Sequence, residues 1–146
     1  MDRKTFIKAG CLACTSIGLL STLLESCVSV KYVNGQLSND GITIDIKEFE
    51  NAKRGNRQYV IVRHDDLQFP ICVYYIAANQ YSALLMRCTH QGAELQVSGD
   101  TLTCAAHGSE FNKLGKVLQS PATEDLRSFP VTIDGGRLFI DLRKNA

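Results

Sequence analysis

Apolar and polar residues begin to alternate at Gly41. In GITIDIKEF, Ile42, Ile44 and Ile46 are interleaved with polar neighbours, the period of a strand buried on one face. NAKRGNRQ then reads as a turn. Tyr59–Val62 (YVIV) is a β-branched run, and HDDLQ ends it. FPICVYYIA and YSALLMRC are two more apolar runs, split by ANQ at a tight hairpin. Late in the chain FPVTI and RLFIDL flank DGG, and Asp-Gly between such runs supplies the positive φ that a two-residue hairpin needs. The closing DLRK reads as a solvated tail. After residue 40 no segment has sustained helical periodicity with caps, and nothing repeats.

The pattern therefore predicts a small all-β domain over residues 41–146, an antiparallel sandwich or compact barrel. Its least strand-like part is an insert from Cys88 to about Thr123, a place for chemistry on loops above a rigid β base.

The N-terminus is patterned differently. Arg3, Lys4 and Lys8 precede an uncharged stretch from Ala9 to Leu24. That stretch falls just short of the ~17–25 residues of a spanning helix and just beyond the ~7–15 of a signal-peptide apolar region. RKTFIK is similar to a twin-arginine export signal with Lys4 at the second arginine. LLESC, with Leu24 three residues before Cys27, is similar to a bacterial lipobox, which makes Cys27 the expected lipidation site. Residues 1–27 are thus expected to be a leader helix: a lipoprotein signal, a cleaved signal peptide or an uncut membrane anchor. Residues 28–40 (VSVKYVNGQLSND) lack an apolar period and are expected to be a tether.

Composition adds limits. The chain has 146 residues, 45% hydrophobic and 21% charged, enough for one packed domain and too apolar for disorder. Its net charge of +1, from 16 basic and 15 acidic residues, leaves no electrostatic footprint for nucleic acid. Six cysteines could suggest a disulfide scaffold, but their placement does not. Cys11, Cys14 and Cys27 lie in or beside the leader, and Cys72 sits in an apolar run as a core thiol. Only Cys88 and Cys104 have histidine companions. His64, in RHDD, belongs to a solvated turn.

Those companions form two clusters, Cys88-Thr-His90 and Cys104-Ala-Ala-His107. Residues 91–103 between them can form a short hairpin turning at Ser98-Gly99-Asp100, which would bring the clusters side by side. Three readings of the residues compete: ordinary loop side chains, a structural zinc site with two Cys and two His that stabilises a binding domain, and an iron–sulfur cluster.

C-x-H followed by C-x-x-H, each trailed by a glycine (Gly92, Gly108), resembles the Rieske [2Fe–2S] family. The resemblance extends to HGSEFN, to GKV and to Ser120-Pro121-Ala122, where family members carry a comparable segment over the cluster. It covers roughly Ile42 to Leu142. It implies one [2Fe–2S] cluster per chain, with Cys88 and Cys104 as thiolate ligands of the inner iron and His90 and His107 as ligands of the outer iron. Two ferric ions, two sulfides and two thiolates sum to zero charge. A neutral cluster takes an electron more readily than an all-cysteine one, at about −150 to +300 mV against about −400 mV. Outward imidazole N–H groups can also exchange a proton as the electron moves.

The resemblance also marks departures. The quinol-oxidising branch has one further cysteine in each loop, joined in a disulfide; Ala93 and Ala106 stand at those places. Ser109 matches a serine whose hydroxyl donates to a bridging sulfide and raises the potential. The partner tyrosine of that serine is replaced by Phe111. Gln91 stands where quinol-oxidising relatives often carry leucine. These features imply an intermediate potential, above dioxygenase-type Rieske ferredoxins and below the respiratory quinol oxidisers.

The chain shows no second cofactor site and no catalytic constellation, so the expected role is a one-electron carrier held at the bacterial cell envelope, its domain on the periplasmic side. The expected partners are membrane or periplasmic redox proteins, such as a quinol oxidoreductase or a cytochrome, with quinol itself as a further candidate. The alternatives are the iron–sulfur subunit of a cytochrome bc-type quinol oxidoreductase or of an arsenite-oxidase-like complex. The leader and Ser109 set the chain apart from a soluble dioxygenase ferredoxin.

Overall fold

The computed structural model describes residues 30–50 and 55–143. The leader, its three cysteines and the expected lipidation at Cys27 lie outside the described residues. Among the described residues the regular structure is almost entirely β, with one short 3-10 turn at Ile46–Phe49.

A five-stranded sheet forms the middle of the domain. It contains β1 (Tyr32–Asn34), β4 (Tyr59–Arg63), β5 (Ile71–Ala77), β6 (Gln80–Leu85) and β11 (Ser128–Phe129), in the order β1-β4-β5-β6-β11. β1 runs parallel to β4; the other neighbours are antiparallel. One face packs on a four-stranded sheet of β2 (Gln36–Leu37), β3 (Gly41–Asp45), β12 (Val131–Asp134) and β13 (Arg137–Asp141). The other face packs on the sheet that carries the candidate site, built from β7 (Gln96–Ser98), β8 (Thr101–Thr103), β9 (Glu110–Asn112) and β10 (Val117–Gln119).

This layering explains the two hydrophobic patterns. Side chains alternate across a strand, so the middle sheet sends Tyr59, Ile61, Cys72, Tyr74 and Leu84 into the site-side core. Val60, Val62, Ile71, Val73 and Ala83 go into the opposite core. With both faces covered, its strands read as unbroken apolar runs. β3 is covered more fully on one face, so Ile42 and Ile44 are buried while Thr43 is partly exposed and Asp45 is exposed. β3 ends one residue sooner than its alternation suggests. The Asp45 side chain accepts from the Lys47 backbone N–H and caps the 3-10 turn that begins at Ile46.

Three expectations need correction. The stretch 28–40, expected to be a tether, holds β1 and β2: Val33 is buried and the chain joins two sheets from Tyr32 onward. Lone polar residues hid this, because two- and three-residue strands are too short to show a period. The insert from Cys88 onward is no bare loop region, since it forms its own sheet. The expected tail DLRK is partly structural. Asp141 is buried in β13, Leu142 N donates to Asp40 O at 3.1 Å, and Arg143 forms ion pairs with Asp40 and Asp141.

The two Asp-Gly-type hairpins form as expected. Gly135 and Gly136 both have positive φ between β12 and β13, and Gly99 has φ 58° between β7 and β8. The Tyr74 hydroxyl, buried in the middle sheet, donates to the Gly99 carbonyl at 3.1 Å and ties that turn to the base. Burial pushes the phenol well above the usual tyrosine range, so it stays a donor.

Gly115 is the other joint between base and insert. It has φ 82°, and a Cβ there would lie 2.9 Å from the Leu84 Cδ2 and 3.4 Å from the Leu126 Cβ. Left-handed backbone costs an L-residue about 1–2 kcal/mol. Gly115→Ala should therefore lower the melting temperature by roughly 5–10 °C. Calorimetry of the cluster-loaded protein checks this; an unchanged melting temperature would mean the joint relaxes freely.

Candidate metal centre

Both Cys/His clusters sit at hairpin tips. The first follows β6, with an isolated bridge between Arg87 and Glu94 at its neck. The second joins β8 to β9, with Thr103 paired to Glu110. The two tips close in the same way. Cys88 N donates to Ala93 O and Gly92 N to Cys88 O, each at 2.8 Å. Cys104 N donates to Ser109 O and Gly108 N to Cys104 O, again at 2.8 Å. Gly92 and Gly108 have φ of 78° and 81°. That left-handed turn is why a glycine trails each histidine, even though the histidines stand at different distances from their cysteines.

The hairpin β7–β8 folds the tips together as the spacing predicts. The rings of His90 and His107 are 4.9 Å apart, edge to face at 89°. The cysteines lie beneath them: Cys88 is 2% exposed and Cys104 fully buried, both as free thiols in the core with Met86, Leu95 and Leu102. His107 is exposed and His90 half-buried. The four residues thus form a graded site, sulfur inside and imidazole at the rim.

The chemistry of the donors fits a cluster. Burial alone would push the Cys104 thiol up, but backbone N–H groups of His107 and Ala106 and the Cys88 thiol outweigh it and hold Cys104 below the ordinary thiol value. Such N–H groups stabilise a thiolate ligand. His90 Nδ1 is buried with no hydrogen-bond partner. An orphaned buried nitrogen costs about 1–3 kcal/mol, and a metal ion would satisfy it. A zinc site takes four ligands about one ion, whereas a two-iron cluster takes two at each iron.

Ser109 is fully buried, and its Oγ accepts from the Ala122 backbone N–H at 3.0 Å. Phe111 lies fully buried in the core under the cysteines. Gln91 is exposed beside His90, Ala93 is half-buried and Ala106 exposed. Cys72 is buried in the same core and its thiol is pushed far up by burial; it takes no part in the tips. His64 sits in its turn, where Nδ1 accepts from Asp66 N at 3.2 Å.

Sequence reasoning passed over Thr89, Gln119 and Glu124. The Thr89 hydroxyl donates to the Glu124 carbonyl at 2.7 Å, and Gln119 Nε2 donates to the Gly108 carbonyl at 3.0 Å. Contacts to backbone carbonyls leave no residue-type signal at the accepting position.

Two buried thiols and two rim imidazoles, on matched tips of a β fold, define an iron–sulfur electron-transfer domain. The family model of the Rieske [2Fe-2S] domain matches residues 42–130, more than half of the chain, and the chain belongs to that family. Over 78 residues it is 35% identical to the 3-phenylpropionate/cinnamic acid dioxygenase ferredoxin subunit of Escherichia coli (strain K12), a match spanning 50% of this chain and 74% of that protein. The fold is similar to the plasma membrane Rieske protein PetC3 of Synechocystis PCC 6803, at 26% identity and a TM-score of 0.50, over 57% of this chain and 86% of that one. It is also similar to the Sphingomonas yanoikuyae B1 ferredoxin, at 26% identity and a TM-score of 0.45, over 57% of this chain and 84% of that one. The relatives include the dioxygenase ferredoxins from which the leader and Ser109 were expected to separate it.

The family's cofactor is the [2Fe–2S] cluster. Cys88, His90, Cys104 and His107 are the residues that would hold it. Bound there, it supplies one-electron acceptance and donation at the potentials of His-ligated clusters.

Proposed function

We propose that this chain is an envelope-anchored carrier of single electrons, working between a membrane quinol or redox partner and a downstream acceptor on the periplasmic side. The observation that carries it is the graded site. The buried cysteines keep their side of the site dry, and the exposed His107 with half-buried His90 offers a partner the short way in. On this reading the chain's own residues hold, shield and present the centre.

Anchoring draws its support from residues 1–27, with their basic front, apolar stretch and Leu24-Glu25-Ser26-Cys27. The strands begin at Tyr32, so little chain separates Cys27 from the domain. Against direct quinol oxidation stand the exposed Gln91 and the alanines at 93 and 106. These also weigh against a place in a cytochrome bc-type complex. A second reading, a ferredoxin that reduces an oxygenase component, is favoured by the name of the Escherichia coli relative.

Cell fractionation with low-temperature EPR separates the two. The full chain expressed with its leader should put the rhombic signal of the reduced cluster in the membrane fraction. Isolated membranes should then reduce an added soluble cytochrome through it. A signal confined to the soluble fraction would sink the anchored reading and leave the oxygenase one.

A further inference from the structure

The chain enters the domain at the end away from the Cys/His tips. β1 lies parallel to β4, with Tyr32 level with Ile61 and Asn34 level with Arg63. Just before it, the Lys31 carbonyl accepts from Ile61 N at 2.9 Å. β1 therefore runs toward the Arg63 end of β4. That is the end of the tips, because Arg63 is ion-paired at 3.3 Å with Glu94, at the neck of the Cys88 tip. The opposite end carries the Gly99 turn, held by the Tyr74 hydroxyl, and Tyr74 pairs with Tyr59 at the start of β4.

The register gives the separation. Tyr32, Ile61, Cys72 and Leu84 stand in one row across the middle sheet. Leu84, Met86 and Cys88 all point into the site-side core, so the course of β6 continues as far as Cys88. Cys88 lies four residues beyond that row, about 13 Å at ~3.3 Å per residue. Val30 lies two residues before it, about 7 Å in the other direction. Sheet twist shortens the projection of the second length and leaves the first. His90 and His107, at the rim, are further out than the buried cysteines. Between Cys27 and Val30 there are three residue steps, which reach about 11 Å when fully extended.

We infer that the histidine rim faces away from the membrane that holds the chain, and that its redox partners are proteins presenting their centres in the aqueous phase. The inference rests on the anchored reading with Cys27 as the attachment point. Turning the rim onto the bilayer would lift Val30 off the surface by more than the three steps from Cys27 can span. The entry end stays next to the lipid and the rim stays exposed to solvent. Donor and acceptor then share one approach, and electrons from quinol within the bilayer arrive only through another protein.

The test uses the full, lipidated, cluster-loaded chain added to preformed phosphatidylcholine vesicles, with the same protein in detergent as reference. Flotation with the vesicles checks the anchor first. Vesicles with a gadolinium-chelate headgroup lipid then report how near the cluster lies to the surface, since dipolar enhancement of EPR relaxation falls steeply with distance. The half-saturation power of the reduced signal should be unchanged by the chelate lipid. Tyr32 is exposed at the entry end of a chain without tryptophan. Tyr32→Trp should therefore lose fluorescence on vesicles with a nitroxide-labelled headgroup. Oxidation of the reduced cluster by added soluble cytochrome c should run within about twofold of its rate in detergent, because the docking face stays open. A protein that floats but shows a several-fold rise in half-saturation power, a many-fold slower reaction with cytochrome, or an unquenched Tyr32→Trp would overturn the inference and leave the anchored reading standing. A protein that fails to float would overturn the anchored reading, and the inference with it.

Discussion

Cys104→Ser is expected to yield a colourless chain, with iron falling from two per chain to near zero and the rhombic EPR signal absent. Cys104 is fully buried, and backbone N–H groups of His107 and Ala106 bear on its sulfur. A serine hydroxyl is a poor iron ligand, so the site loses one of its two thiolates. Because metal binding free energy is folding free energy, the loss should also loosen the structure, and not evenly. The sheet β7–β10 has short strands around the site, while β4, β5 and β6 are packed on both faces. Hydrogen exchange should therefore speed up far more in residues 96–119 than in 59–85. A variant that kept its iron would show that the four residues are not the ligand set. Even loosening across both regions would show that the site does not hold its own sheet together.

Ser109→Ala is expected to keep the cluster and lower its midpoint potential. The Ser109 Oγ is occupied as an acceptor by Ala122 N, so its hydroxyl hydrogen is left to donate elsewhere, and the resemblance to the family implies that a sulfide of the bound cluster would accept it. A hydrogen bond to a charged group is worth about 1.5–3 kcal/mol. At ~59 mV per 1.4 kcal/mol for one electron, its loss should lower the midpoint by roughly 60–130 mV. Phe111→Tyr, which adds a hydroxyl at a buried position beneath the site, should move the midpoint the other way. The alanine variant should also melt lower, since it orphans the buried Ala122 N–H at a cost of about 1–3 kcal/mol. Protein-film voltammetry reads the first effect and calorimetry the second. A lower melting temperature with an unmoved midpoint would reduce Ser109 to a purely structural anchor.

Much of this was legible without coordinates, because the physics involved is local. Alternation in β3 and unbroken apolar runs in β4 and β5 announce strands, since each residue's burial follows from the face it points to. Gly99 and the Gly135-Gly136 pair mark hairpins because few other residues accept positive φ. The glycine after each histidine is required by the tip itself, so the two Cys/His clusters carry their own turn chemistry. The residue types alone left a zinc site and an iron–sulfur cluster both open, and the resemblance of the two clusters to the Rieske motif chose between them.

The short strands were not legible. β1 and β2 owe their existence to β4 and β3, which supply their ladder partners from 29 residues away (Tyr32 with Ile61) and from five to seven residues away (Leu37 with Ile42, Gln36 with Thr43) respectively. The same holds at the other end, where Arg143 gains its place only through Asp40 and Asp141.

By itself, then, the sequence determined the strands with a clear period, the hairpin turns and the two Cys/His clusters with their trailing glycines. Each of these depends on residue type and near neighbours. Only the tertiary structure decided which faces of the middle sheet are covered, that His90 Nδ1 is left unpartnered, and that the segment from Gln119 to Asp125 spans both tips. Those facts depend on backbone groups brought together across the fold, and a carbonyl oxygen is the same in every residue.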